Sequence, residues 1–162
     1  MKSKILVLTS TFPRYKGDTS PPFVYELSKR LANKDNKIVV LAPFSPKSKI
    51  SETIDNMKVY RFRYWINTES LITNGAMLPN LSRNKLFLFQ VPFFVIFQFI
   101  NLIKIDNKEK INTIHAHWIL PQGLVAVFYK KIINKNIKVI ITSHGGDIFG
   151  LQKFNFLKKW VI

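Results

Sequence analysis

No cysteine occurs among the 162 residues, which excludes a disulfide framework, thiolate metal centres and a cysteine nucleophile. Acids are scarce: 9 Asp and Glu stand against 25 Lys and Arg, a net charge of +16. Glycine is sparse, at 6 residues, and nowhere spaced as Gly-x-Gly-x-x-Gly. A nicotinamide dinucleotide site is therefore disfavoured, because close approach to the pyrophosphate needs those glycines. A Gly-x-Ser-x-Gly elbow is also missing, and Ser143 directly precedes His144, which argues against a Ser-His-Asp hydrolase. The opening Met1-Lys2-Ser3-Lys4 is basic, but the apolar run Ile5–Leu8 stops at Thr9-Ser10-Thr11. It reads as a first buried strand rather than a cleavable leader.

What is present is a core-forming chain. The apolar fraction is 47% and the mean hydropathy +0.05, enough to exclude a disordered or collagen-like protein. The length suits one domain of about 100–200 residues. The positive charge is nearly all Lys, scattered as at Lys29, Lys34 and Lys37 or Lys130, Lys131 and Lys135. It reads as solvated helix ends and turns, since no basic–aromatic stripe or nucleic-acid motif accompanies it; nucleic acid is not an expected partner. The surplus still favours an anionic ligand or lipid.

Periodicity alternates between strand and helix. Strands are expected at Lys4–Thr9, Lys37–Ala42, Met57–Tyr64, Thr113–Trp118 and Lys138–Ser143. Helices are expected from Pro22, with Phe23, Leu27 and Leu31 on one face, from Pro121 to about Asn134, and near Phe154. In Met57–Tyr64, Val59, Arg61 and Arg63 alternate with Tyr60, Phe62 and Tyr64, the pattern of a half-exposed strand. Leu86–Ile103 is uncharged and near the length of a membrane span. Gln90, Pro92, Gln98 and Asn101 interrupt it, and a span there would divide one sheet across a bilayer. It is read as a helix buried against the sheet, with one face free to touch lipid.

This order implies a Rossmann-like α/β fold, a doubly wound parallel sheet covered on both faces. Such sheets bind ligands beyond the carboxyl ends of their strands. Ser10–Thr11, Gly17–Asp18, His115–Trp118 and Ser143–Asp147 fall there, and these segments hold all three histidines. His115 and His117 share a strand face, but no His–carboxylate spacing completes a metal site. His115 reads as a packed histidine and His117 as the one nearer the cleft. Gly145 and Gly146, directly after a strand, let backbone approach a ligand, and Asp147 could accept hydrogen bonds from sugar hydroxyls. Asp18 with Asp147 as a glycosidase pair is a weaker alternative.

Three segments carry a resemblance. Thr9-Ser10-Thr11-Phe12-Pro13-Arg14 through Gly17-Asp18 and Ser20-Pro21-Pro22-Phe23-Val24 form the first. Ile114-His115-Ala116-His117-Trp118 with Leu120-Pro121-Gln122-Gly123-Leu124 is the second, and Thr142-Ser143-His144-Gly145-Gly146-Asp147 the third. Together they resemble the N-terminal, acceptor-side domain of family 4 glycosyltransferases, enzymes of cell-surface polysaccharide and lipid-linked glycan synthesis. The resemblance implies the GT-B architecture, two Rossmann-like domains across a cleft, and transfer from a nucleotide-sugar with retention of configuration, without a metal or other cofactor. It places Gly17 near the donor diphosphate, with Asp18 in the same loop, and His117 near the transferred sugar as the catalytic candidate. His144, Gly145 and Asp147 line the cleft wall.

The resemblance covers residues 1–162 as one N-terminal domain, short at its C-terminal end, without the donor-binding domain. The expectation is a transferase part that is inactive alone and needs its C-terminal domain or a split-gene partner. A non-catalytic binding or scaffold module at the membrane surface is the alternative. The expected location is cytoplasmic, with a peripheral contact at the inner face of the cell membrane.

Overall fold

The computed structural model describes residues 3–15, 17–18, 22–34, 36–66, 77, 80–81, 84–145 and 147. Six strands form one sheet: β1 (Lys4–Leu8), β2 (Lys37–Pro43), β3 (Ser51–Ile54), β4 (Met57–Phe62), β5 (Thr113–His117) and β6 (Lys138–Thr142), in the order β3-β4-β2-β1-β5-β6. All neighbours are parallel except β3 with β4. Among the described residues it is covered by helices α1 (Phe23–Ala32), α2 (Gln90–Glu109) and α3 (Leu124–Ile132). The expected helix near Phe154, and Ser20 and Gly146, lie outside the described residues.

Alternation along the central strands explains their unbroken apolar runs. Leu6 and Leu8 of β1, with Val39 and Leu41 of β2, join Phe94, Leu102, Val125 and Tyr129 in a core under α2 and α3. Val7, Ile38, Val40 and Ala42 join Val24 and Phe12 in a second core under α1. Both faces are dry, so both sets of side chains must be apolar. In β5 the same period sends Ile114 and Ala116 to the α2–α3 side and His115 and His117 to the α1 side.

One expectation, the exposure of Arg61, needs correction, and two are refined. The face of α1 turned to the sheet is Val24 and Ser28, while Phe23 and Leu27 are partly exposed, at 41% and 37%. Small side chains let the helix approach closely, and the Ser28 hydroxyl is satisfied by donating to Val24 O at 2.7 Å. Arg61 is not at the solvent face but buried. Its guanidinium pairs with Glu52 and donates to Lys49 O at 2.8 Å and Pro13 O at 2.6 Å; full pairing is what a buried charge requires. The sheet is mixed rather than purely parallel: β3 turns back into β4 through Asp55 and Asn56, both with positive φ (44° and 63°), the twist of a two-residue hairpin.

The apolar stretch is a 3-10 turn, Lys85–Phe89, running into α2. Asn84 caps it, accepting from Leu86 N at 3.0 Å. Pro92 falls in the first turn of α2, where its missing N–H costs nothing. At the other end Lys110 adopts φ 54°, ψ 64° and closes the helix on Asp106 O at 2.8 Å. By length and composition the segment could cross a membrane, but Phe94, Leu102 and Ile105 pack it onto the sheet. Beneath it, Glu109 is buried and holds Lys58 (3.0 Å), Lys37 (3.1 Å) and Tyr60 (2.7 Å).

Candidate active site

The site candidates sit past the carboxyl ends of β1, β5 and β6. His117, the last residue of β5, is fully buried and its Nδ1 lies 2.9 Å from His144 Nε2. The two rings are nearly parallel, at 9°. Behind them His115 Nε2 meets Thr142 Oγ1 at 2.8 Å; His115 is packed, and His117, expected nearer the cleft, is the more deeply buried of the two. In front, Phe23 and Trp118 enclose His144, with ring centroids at 4.6 and 4.8 Å.

Burial, then the neighbouring His115 and His144, lowers the His117 pKa to about 3. Burial likewise lowers His115 and His144. The cluster is thus neutral at pH 7. A hydrogen bond between two neutral imidazoles uses one N–H and one lone pair. The remaining His117 nitrogen, Nε2, is buried with no hydrogen-bond partner among the described residues.

Asp147 organises the turns around this cluster. Its carboxylate accepts from Ile119 N (2.8 Å), Ser143 Oγ (2.8 Å) and His144 N (3.1 Å). Burial alone would raise its pKa; those donors outweigh it and hold the group below the ordinary carboxylate value. One carboxylate therefore ties the turn after β5 to the turn after β6. In the first of these, Trp118 has φ 75°, which turns the chain sharply away from the strand. In the second, Gly145 has φ 82° and open space where a side chain would project.

Gly17 and Asp18 form a separate loop after β1. Gly17, at φ 87°, is exposed in a turn closed by Asp18 N on Tyr15 O at 3.1 Å. The Asp18 carboxylate faces inward: Arg14 meets it through Nε and Nη2, and Arg14 N donates to it, each at 2.8 Å. Within this structure it shapes the loop rather than facing the cleft. Arg61 fixes the same loop from beneath, through Pro13 O. Phe23, at the start of α1, carries this side of the site to His144.

Two participants were missed from the sequence. Phe23, read only as one of three apolar residues on a helix face, walls the site against His144. Gln122 is fully buried. With its amide oriented to satisfy both ends, the oxygen accepts from Ser10 N and the nitrogen donates to His117 O, each at 3.2 Å. It straps the end of β1 to the end of β5. A buried glutamine just before a helix is a signal for such a strap, though its target is invisible without the fold. Among the described residues no group of three His, Asp or Glu side chains is arranged to hold a metal ion.

Residues 22–162 match the family described as Glycosyltransferase Family 4. The chain belongs to this family. The match runs from the start of α1 and takes in the histidine cluster and both turns that Asp147 joins. N-acetyl-alpha-D-glucosaminyl L-malate synthase of Bacillus anthracis is 28% identical over 65 residues, 40% of this chain and 17% of that protein. Sucrose-phosphate synthase from Thermosynechococcus elongatus superposes over 98% of this chain with a TM-score of 0.62, at 14% identity. A shorter form of that synthase gives a TM-score of 0.58 at 15% identity and is covered over 83% of its length. At such identities the likeness is one of fold, and the fold is the Rossmann-like half of GT-B glycosyltransferases. The chain spans 37% of the longer synthase chain.

Proposed function

We propose that this chain is the acceptor-side part of a retaining glycosyltransferase. It transfers a sugar from a nucleotide-sugar to a cell-surface polysaccharide or lipid-linked glycan in the cytoplasm. The donor is bound chiefly by a C-terminal domain that completes the cleft, and the chain alone does not turn over. The reading is supported above all by His117: buried, neutral, last in its strand, with Nε2 unpaired among the described residues.

A sugar seated at this edge would gain Nε2 as one hydrogen-bond partner once the side chains that bury it move aside. The pairing with His144 fixes the ring, and Asp147 fixes His144 through its backbone, so the partner is in place before substrate arrives. That is the advantage of preorganised polar groups over water. A neutral imidazole adds no positive charge that would repel a developing oxocarbenium centre. Gly17, exposed in its turn, leaves the backbone open to a donor diphosphate. Arg14 and Arg61 hold that loop in shape, and no metal or other cofactor enters the scheme.

The test is transfer of radiolabelled sugar from a panel of nucleotide-sugars to lipid-linked and polysaccharide acceptors. It is run on the chain alone and on the chain joined to its C-terminal donor-binding domain. The joined protein should transfer, the chain alone should not, and His117→Ala in the joined protein should abolish turnover. Turnover by the chain alone overturns its dependence on a second domain. Transfer that survives His117→Ala overturns the role given to that residue and favours a scaffold.

A further inference from the structure

We propose that the outward face of α2, together with the 3-10 turn before it, is a docking surface for an anionic lipid bilayer. The proposal is independent of the transfer reading, because it concerns the opposite side of the sheet from the histidines.

Helix α2 is inside out for a helix in water. Toward the sheet it buries Gln90, Gln98 and Glu109 alongside Phe94, Leu102 and Ile105. Both polar atoms of the Gln98 amide are buried there with no hydrogen-bond partner among the described residues. Toward solvent it presents Phe93, Ile96, Phe97 and Ile100, continued by Leu86 and Phe89, which are 69% and 71% exposed. These positions recur at three and four residues, so they form one stripe rather than scattered contacts. Trp65 extends the stripe, packing edge-on against Phe93 at 5.5 Å, and Ile66 beside it is 99% exposed. A soluble surface seldom keeps so continuous an apolar strip without an occupant.

Charge selects the occupant. Lys85 and Lys104, both exposed, bracket the stripe, and no Asp or Glu lies between them. The chain as a whole carries +16. A second copy would set two such charges face to face, whereas an anionic headgroup layer complements both the lysines and the apolar strip. Trp and Phe at the rim suit the headgroup level of a bilayer. A membrane span is excluded by the packing: Phe94 and Leu102 are fully buried against the sheet, so the helix lies on lipid and does not cross it.

The experiment is co-sedimentation of the full chain with phosphatidylcholine vesicles, with and without phosphatidylglycerol. Wild type should bind the anionic vesicles and be released by high salt or carbonate. Phe89→Ser, Phe93→Ser and Phe97→Ser change exposed side chains, and each should lower the partition coefficient about tenfold. Lys85→Gln with Lys104→Gln, which leaves the helix packing untouched, should lower it several-fold per lysine on anionic vesicles only. Far-UV circular dichroism checks that the variants fold. Absence of vesicle binding by wild type overturns the proposal. So does a carbonate-resistant, integral behaviour, or a dimer in solution that the Phe93→Ser variant dissolves.

Discussion

Moving from pH 7 to pH 5 should destabilise this chain through His117 before Asp147 or Glu109 responds. In the unfolded chain the imidazole titrates at 6.5, and in the folded chain burial lowers it to about 3. Between those values the unfolded state holds a proton that the folded state refuses. The stabilisation is therefore present above about pH 6.5 and is lost as the pH falls toward 3. The slope approaches one proton, about 1.4 kcal/mol per pH unit, and integrating from pH 7 to 5 gives a loss of about 2 kcal/mol. His115 and His144 are lowered too, and add in the same direction. Asp147 and Glu109 are held below their ordinary values of 3.8 and 4.5, so their contributions fade only at lower pH and leave this window to the histidines. Urea unfolding at the two pH values measures the difference. His117→Gln should shrink it by about 2 kcal/mol, whatever the variant does to stability at pH 7. Equal wild-type stability at pH 5 and 7, or an unchanged pH dependence in the glutamine variant, would refute the reasoning.

Two further substitutions probe the framework. Asp147→Asn replaces one acceptor oxygen with an N–H₂ facing the donors at Ile119, Ser143 and His144. It should cost about 2 kcal/mol in urea unfolding and raise hydrogen exchange at the Ile119 and His144 amides. Glu109→Gln leaves Lys37 and Lys58 free to turn to water, since both are over 40% exposed, so the loss should stay near 2 kcal/mol. The carboxylate is held down to about 2 by Tyr60, Lys58 and Lys37 against its burial. Its contribution is therefore present above about pH 4.5 and disappears as the pH falls toward 2. Acid unfolding of the glutamine variant should lose that step.

The fold was legible because one period governs it. Continuous apolar runs at Ile5–Leu8 and Ile38–Ala42 can belong only to strands covered on both faces, and helices between them force parallel crossovers. The failures have one cause as well: a side chain's partner can lie far along the chain. Arg61 looks like a solvent residue in an alternating strand until Glu52 and Pro13 O are brought to it. Strand β3 is short and polar, and only its pairing with β4 makes it a strand. Phe23 fits a four-residue stripe with Leu27 and Leu31, but the sheet lies under Val24 and Ser28, one residue round the helix. Spacing identified the helix and could not identify which stripe meets the sheet.

The site shows the same division between position and partnership. Strand ends and glycines placed His117, His144, Gly145 and Asp147 at one edge, and the fold brings them within hydrogen-bonding reach. What they do to one another follows from direction, which no spacing encodes. Asp147, read as an acceptor for sugar hydroxyls, spends its oxygens on Ile119, Ser143 and His144; Asp18 spends its own on Arg14. Both carboxylates are thereby converted from ligand groups into fasteners of loops. Among the polar atoms left over are His117 Nε2 and, past the end of β1, Thr11 Oγ1; His144 takes the other ring nitrogen of His117. A buried, neutral, singly committed imidazole is costly to keep without a use, since an unpaired buried polar atom costs about 1–3 kcal/mol. Three turns are ordered around His117 Nε2, a buried nitrogen of the candidate site that a hydrogen bond from substrate would satisfy.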